Sequence, residues 1–337
     1  MARFAAVGLD HRHVYDMTAG LLAAGAECVG HDPETTDPRV LAGFRKRFPD
    51  VPVVSRERLL DDPSVDFIVL SAVPRDRADI AIAAMRRGKD VMSDKPGVTT
   101  VAQLNAMRDA VRETRRLWSV CVGRVASPAL QAALRVVRSG ELGRLAQVVS
   151  LAPHRLNRDL RPDWFFDRPA YGGIVNDIGV HSIDQFLALA DMAEAEIESC
   201  VIGAYGTAPE GFEDFAEFTL STSRVRGYCR VDWFTPDGLP TWGDGRLFLV
   251  GTEGTLELRK NLDIEGRAGA NHMFVAGKTG TRHVDCSVLP VTYFRDFIAA
   301  VRSRDFAALP QEQVFTVCRM ALAAQASAKR FVAERPK

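Results

Sequence analysis

Asp177 and His181 stand four residues apart in Gly172-Gly173-Ile174-Val175-Asn176-Asp177-Ile178-Gly179-Val180-His181, a stretch that continues through Ser182, Ile183, Asp184, Gln185 and Phe186. On an α-helix this spacing stacks a carboxylate over an imidazole, with Asp184 one turn further on. Ile178, Phe186 and Leu187 then face a core. A carboxylate beside an imidazole raises its pKa and can fix its tautomer, which suits a proton shuttle or a clamp on a substrate hydroxyl. Spacing alone favours a plainer alternative, a capped amphipathic helix whose Asp and His pair in solvent. Residues elsewhere in the chain shift that balance.

Three further groups carry possible chemistry. Gly8-Leu9-Asp10-His11-Arg12-His13 lies where a dinucleotide-binding turn would lie, and such a turn wants glycine at its first, third and sixth positions. Only Gly8 matches, so an ordinary strand–helix turn with Asp10 as helix N-cap is an equal alternative. Asp32 follows 24 residues after Gly8, where an acidic side chain would accept hydrogen bonds from an adenosine ribose. That favours NAD over NADP, the alternative being a turn Asp before Pro33. Asp94-Lys95-Pro96 comes at the end of an apolar run. A lysine shielded from water at a sheet edge has its ammonium form disfavoured, which suits acid–base work; a solvated loop lysine is the alternative. If the loop near residue 10 followed the usual path, the Asp10 carboxylate would crowd a pyrophosphate. The expectation is that Asp10 turns away to cap a helix beginning near His11, leaving His11 or Arg12 as phosphate donors.

The elements that must position these residues can be read from the apolar pattern. Short continuous apolar runs at 4–8, 27–30, 66–71, 90–93 and 117–122 alternate with helical periodicity at 14–24, 38–48, 78–87 and 101–114. Continuous rather than alternating runs mark a parallel sheet covered on both faces, a doubly wound α/β arrangement. After Val122 the texture changes. A helix at 128–137 precedes longer segments at 145–151, 196–204, 216–222, 226–233, 246–250 and 254–259, several of them alternating apolar and polar. These predict a largely antiparallel sheet with one open face. Helices at 291–302 and 311–334 close the chain. The expected fold is an α/β N-terminal doubly wound parallel-sheet (Rossmann) domain over 1–123. An α+β domain with a large, mostly antiparallel, open-faced sheet follows over 124–337.

Composition narrows the class. The chain has 337 residues, too many for one ordinary core. Lys plus Arg and Asp plus Glu each number 43, so nothing points to nucleic acid or an anionic membrane. The six cysteines (28, 121, 200, 229, 286 and 318) have no zinc or redox spacing and read as buried thiols in a reducing compartment. No leader-like segment opens the chain and no apolar run approaches about 18 residues, so the expected location is the cytoplasm.

Taken together these residues resemble the glucose–fructose oxidoreductase / inositol dehydrogenase / rhizopine-catabolism (Gfo/Idh/MocA) family over almost the whole chain. Val91-Met92-Ser93-Asp94-Lys95-Pro96 is similar to its Glu-Lys-Pro segment, with Asp for Glu. Ser139-Gly140-Glu141-Leu142-Gly143 is similar to the turn entering its second domain. Pro162-Asp163-Trp164-Phe165-Phe166-Asp167 followed by 172–181 is similar to its glycine-rich Asp-x-x-x-His helix, and Val250-Gly251-Thr252-Glu253-Gly254-Thr255-Leu256 to a late hairpin. The chain differs at Asp10 and His13, at Arg77 where the family has His, and at Tyr171 before the glycine pair.

The resemblance implies an NAD(P)-dependent oxidoreductase acting on a sugar, cyclitol or related polyol; with Asp32, NAD is the expected cofactor and NADP is less favoured. Lys95 would be the general acid/base, and Asp177 and His181 would position the reacting hydroxyl and relay its proton. Gly8, Asp10, His11, Arg12, His13, Asp32, Ser71, Val73, Pro74, Asp94 and Lys95 are the candidate cofactor contacts. Arg124, His154, Arg158, Trp164 and Trp233, with Asp177 and His181, are the candidate substrate contacts; a solvated face is the alternative for any one Arg, and a core position for Trp164 or Trp242. No metal is expected. A cis bond before Pro96 and a homodimer or homotetramer through the C-terminal sheet are further implications. Two other functions stay open. A lyase or glycosidase could oxidise its substrate transiently and return the hydride, making no free NADH. A non-catalytic sugar or nucleotide sensor would bind without turnover.

Overall fold

A computed structural model describes residues 1–122, 127–206 and 208–332. Its contacts divide the chain into two units, one comprising Met1–Cys121, Pro162–Gly172 and Thr292–Arg319, the other Val122–Arg161, Gly173–Val291 and Met320–Lys337. The boundary expected between 123 and 124 falls outside the described residues.

The first unit is built on β1 (Arg3–Leu9), β2 (Glu27–His31), β3 (Phe67–Ser71), β4 (Asp90–Asp94) and β5 (Trp118–Cys121). They form one parallel sheet in the order β2-β1-β3-β4-β5. The short apolar runs become central strands because both their faces are covered: every residue of β3 and β4 is buried. The crossovers are α1 (His13–Ala23), α2 (Pro38–Arg47), α3 (Arg56–Asp61), α4 (Arg77–Arg86) and α5 (Val101–Thr114). Asp37 caps α2, accepting from the Arg39 amide with Pro38 in the first turn. The short α3 carried no sequence signal. The unit's later residues pack on the same sheet: Phe297 meets Phe67 edge-on at 5.0 Å and Phe315 lies 5.3 Å from Trp118.

The second unit holds a nine-stranded sheet. In chain order its strands are β6 (Leu145–Pro153), β7 (Glu196–Ala204), β8 (Phe215–Ser221), β9 (Arg226–Asp232), β10 (Arg246–Gly251), β11 (Thr255–Arg259), β12 (His272–Gly277), β13 (Gly280–Asp285) and β14 (Lys329–Val332). Their spatial order is β13-β12-β11-β10-β6-β9-β8-β7-β14. Only the β6–β9 and β7–β14 pairs are parallel, so the sheet is mostly antiparallel as expected. Leu256 and Leu258 pair across strands with Leu249 and Leu247, all buried, while Thr255, Glu257 and Arg259 alternate toward the less covered face. On the covered face lie α6 (Pro128–Arg138) and α7 (Val180–Ala190).

Three strands were not foreseen. β12 and β13 form an edge hairpin in which Met273 and Val275 of β12 are buried while β13 is largely exposed. The closing helix expected to reach 334 ends at Ser327, and Lys329–Val332 pairs with β7 instead. Sheet edges recruit such segments through backbone hydrogen bonds, which leave no periodic signature. Two longer helices follow late in the chain, α8 (Tyr293–Ser303) and α9 (Gln311–Ser327). No disulfide links any of the six cysteines. Among the described residues no helix is long and apolar enough to cross a membrane.

Candidate active site

In the first unit the sheet's C-terminal edge gathers its polar side chains around one carboxylate. Asp94, the last residue of β4, is fully buried. His11 Nδ1 lies 2.7 Å from its Oδ2 and His13 Nδ1 2.7 Å from its Oδ1. The Lys95 amide donates to Oδ1 at 2.7 Å, Arg77 Nη2 donates to Oδ2 at 3.0 Å, and Ser71 Oγ lies 3.2 Å from Oδ2. Burial alone would raise this carboxyl's pKa, but His13, Arg77 and His11 together hold it well below the usual range. An ionised Asp94 accepts hydrogen bonds only, so both Nδ1 atoms carry their hydrogens. Burial, with His13 alongside, pushes His11 down to about 4 against the pull of Asp94. His11 is therefore a neutral imidazole at pH 7, with Nε2 left as an acceptor.

Arg77, at the family's His position, is 1% exposed. Its guanidinium donates to Ala72 O at 2.7 Å, Pro96 O at 3.0 Å and Asp94 at 3.0 Å. A longer cation has taken a shorter acid: Arg for His accompanies Asp for Glu. The clamp ties the loop after β3, including Val73 and Pro74, to Lys95 and Pro96. Lys95 is 8% exposed and its bond to Pro96 is cis, as expected.

The loop after β1 keeps one feature of a dinucleotide turn and rebuilds the rest. Gly8 has φ +63°, and a Cβ there would sit 2.5 Å from that of Ala72, so only glycine fits. Asp10 is buried and does turn away, though not to cap α1, whose N-cap residue is Arg12 with no side-chain bond. Its Oδ1 accepts from the Thr36 amide at 2.5 Å and hydroxyl at 2.8 Å, and from Thr35 Oγ1 at 3.1 Å. Its Oδ2 accepts from the Val73 amide at 3.2 Å. The two side chains replacing glycine are thus consumed within the protein, Asp10 by the loops after β2 and β3 and His13 by Asp94. Arg12 is exposed.

Asp32, 0% exposed, meets a residue that no local reading pointed to. Arg56 Nε donates to its Oδ2 at 2.6 Å and the Glu34 amide to its Oδ1 at 3.0 Å. Arg56 also reaches Glu34, Nη2 to Oε2 at 3.3 Å. Trp164 belongs to this unit, its ring 6.4 Å from that of His11, and its indole Nε1 is buried with no hydrogen-bond partner. A glycine cradle, an acid at the end of β2 and an orphaned buried donor are what a bound dinucleotide would use, so these residues fit one.

The stretch 172–187, which lies in the second unit from Gly173 on, is only partly the regular helix its spacing predicts. Gly172 and Gly173 adopt φ +88° and +95°. Val175–Gly179 is then a π-helical turn, followed by α7. Asp177 lies in the wider turn, four residues before His181 in α7; such turns often mark functional sites. Asp177 and Asp184 are buried, His181 is half-buried, and Ile178, Phe186 and Leu187 are in the core as expected. His154 lies between Trp233 (5.4 Å) and Trp242 (4.6 Å), and Arg161 covers Trp233 at 5.2 Å. Trp233 is 6% exposed, whereas Arg158 is exposed. Arg124 lies outside the described residues.

The His11 site has a measurable pH signature. His11 takes up its proton near 6.5 when unfolded and near 4 when folded. Between these values the unfolded chain binds more protons, so stability is full above about 6.5 and is lost as pH falls toward 4. Denaturant melts at pH 4.5 and 7 should show His11→Gln losing about 2 kcal/mol less than wild type on acidification. An identical loss in both proteins would show that His11 does not titrate in this way.

The chain's relatives agree with this architecture. Residues 37–122 match the oxidoreductase family with an NAD-binding Rossmann fold (Gfo/Idh/MocA), and residues 130–257 match the Gfo/Idh/MocA C-terminal domain. The 1,5-anhydro-D-fructose reductase of Ensifer adhaerens is 32% identical over 174 residues, a match spanning about half of each protein (48% of this chain, 48% of the reductase). A protein of Erwinia carotovora atroseptica SCRI1043 described as an oxidoreductase is 38% identical, with a TM-score of 0.92 over 98% of this chain and 99% of that one. Levoglucosan dehydrogenase in complex with NADH and levoglucosan shares the fold, at 17% identity and a TM-score of 0.80 over 97% and 96% of the two chains. The chain belongs to the Gfo/Idh/MocA family of oxidoreductases.

Proposed function

We propose that this protein oxidises a CH–OH group of a sugar, cyclitol or related polyol, with NAD as the hydride acceptor. The observation that carries the reading is Lys95, nearly buried at the C-terminal edge of a parallel sheet on a loop locked by Asp94 and Arg77. When bound, the nicotinamide accepts the hydride from the reacting carbon. Lys95 Nζ takes the hydroxyl proton as that hydride leaves, while Asp177 and His181 orient the hydroxyl and pass the proton onward. Gly8, Ser71, Val73, Pro74 and Asp94 shape the cofactor's seat. Asp10 braces the loop from behind, and His11, Arg12 and His13 face the phosphate side. His154, Arg158, Trp164 and Trp233 are the substrate contacts. We assign no metal. His11, His13 and Asp94 are close enough to hold one, but both Nδ1 atoms are protonated toward Asp94, and Arg77 already supplies the positive charge there.

Two variants test the chemistry. Lys95→Met should retain NAD binding and lose at least a hundredfold in kcat, since acid–base groups contribute about 10²–10⁴-fold. His181→Ala should lower kcat and remove a limb of its pH profile. A polyol panel read at the NADH band supplies the assay; less than a tenfold loss in Lys95→Met would take Lys95 out of the mechanism.

NAD is preferred because Asp32 and Glu34 together outweigh Arg56, so a 2′-phosphate meets net negative charge. Arg56 softens that discrimination. Arg56→Ala should therefore widen the ratio of kcat/KM for NAD over NADP by about tenfold, the scale of one charge at a few Å in a partly screened site. An unchanged ratio would place the ribose away from this pair.

The less covered face of the nine-stranded sheet, carrying Glu198, Arg226, Glu257 and Arg259 in ion pairs, serves as a homo-oligomer interface in this reading. Light scattering should give the mass of a dimer or tetramer, and a monomer at micromolar concentration would overturn it.

A further inference from the structure

We infer that Glu213 and Gln325 are positioning residues that set the turn carrying Asp177 and leading to His181; the inference rests on the oxidoreductase reading above. A helix start leaves backbone N–H groups without intrahelical partners, and these are ordinarily met by a side chain at the N-cap itself. Here the cap comes from far along the chain. The Ile174 N–H donates to Glu213 Oε2 at 2.9 Å, 39 residues away, and the Val175 N–H donates to Gln325 Oε1 at 2.9 Å, 150 residues away. The two distant side chains are joined to each other: Gln325 Nε2 lies 3.1 and 3.0 Å from the two oxygens of Glu213. Arg330 donates to Glu213 Oε1 at 2.5 Å, giving the carboxylate its counter-charge. Glu213 and Gln325 are each 3% exposed, so water does not substitute for either partner.

The glycine pair is what lets this clamp close. Gly173 has φ +95°, and a Cβ there would lie 2.4 Å from Gln325 Cδ. Only glycine allows the amide to approach the backbone so closely. Asp177 follows at once, since its N–H donates to Gly173 O at 2.8 Å. A shift in Gln325 or Glu213 therefore passes through Gly173, Ile174 and Val175 into the π-helical turn, and from there into the start of α7. Because both caps belong to other parts of the second unit, tertiary packing rather than local sequence sets the pitch of the turn.

The test uses the complementarity of the pair. Gln325→Glu sets two carboxylates face to face and removes the donor to Glu213. Adding Glu213→Gln exchanges the roles. The carboxylate at 325 then accepts from the Val175 amide and from the new side-chain amide, whose oxygen accepts from the Ile174 amide, and Arg330 must swing from position 213 to the carboxylate now at 325. Gln325→Met, of similar size but unable to accept, is the second single variant should Gln325→Glu fail to fold. Each folded single variant should lose at least tenfold in kcat, with KM for NAD unchanged and the pH profile altered. Deuterium exchange of the amides of residues 174–181 should accelerate at least tenfold. The double exchange should restore both to within about threefold of wild type.

A single variant that exchanges faster but keeps the wild-type kcat and pH profile would reduce the pair to a structural brace and overturn the inference. So would a double variant no better than Gln325→Glu. Exchange is read without substrate, so a wild-type protein that reduces no NAD with any polyol would sink the functional reading while the clamp itself is still decided.

Discussion

Asp94 is the constraint on which the first unit's site depends. A fully buried carboxylate is costly unless its oxygens are filled, and here donors arrive from the loop after β1, from β3, from α4 and from the next residue of the chain. Each donor is thereby fixed as well. The arrangement sets both imidazole tautomers, ties Arg77 to the backbone at Ala72 and Pro96, and gives Lys95 a rigid platform. Loss of the carboxylate would release three loops together, which is why substitutions at the Glu, His and glycine positions of the family pattern have to be understood as one set.

The same logic explains how a turn with acidic and imidazole side chains in place of glycines keeps its place in the fold. Glycine is required only where a Cβ has no room, and Gly8 against Ala72 is such a place. At Asp10 and His13 the backbone tolerates a side chain, provided that the side chain has a destination. Asp10 finds the Thr35–Thr36 segment and the Val73 amide, and His13 finds Asp94. The Asp10 carboxylate is thereby saturated with donors on the protein side.

The second unit solves a different problem, the placement of Asp177 on a wide helical turn. A π-helical turn is less well bonded than an α-helical one and persists only where its surroundings specify it. Two consecutive positive-φ glycines bring the chain in, and buried side chains from the β7–β8 connection and from α9 receive its first amides. Buried polar networks of this kind are worth most when every member is satisfied, and this one runs without a break from Arg330 to the backbone at Val175.

Much of this was legible from the chain alone, for reasons that differ by element. The five parallel strands announced themselves because burial on both faces demands uninterrupted apolar runs, and α1, α2, α4 and α5 because one-sided burial demands a 3.6-residue period. Gly8, Asp32, Lys95, Asp177 and His181 stood out because each is an uncommon residue type at a position set by those elements. The hairpin β12–β13 and the terminal strand β14 did not, since an edge strand is defined by its partner's backbone and not by its own side chains. Nor could the sequence reveal what each charge would meet. The Asp10 partners at 35, 36 and 73, the Arg56 that covers Asp32, and the Glu213–Gln325 pair beneath the Asp177 turn are all separated from their targets by tens of residues or more. Periodicity and motif spacing report what a segment buries and where it turns, because those are local requirements of the backbone. The partner of a buried polar group is whatever the folded chain brings within about 3 Å, and only the tertiary structure decides that.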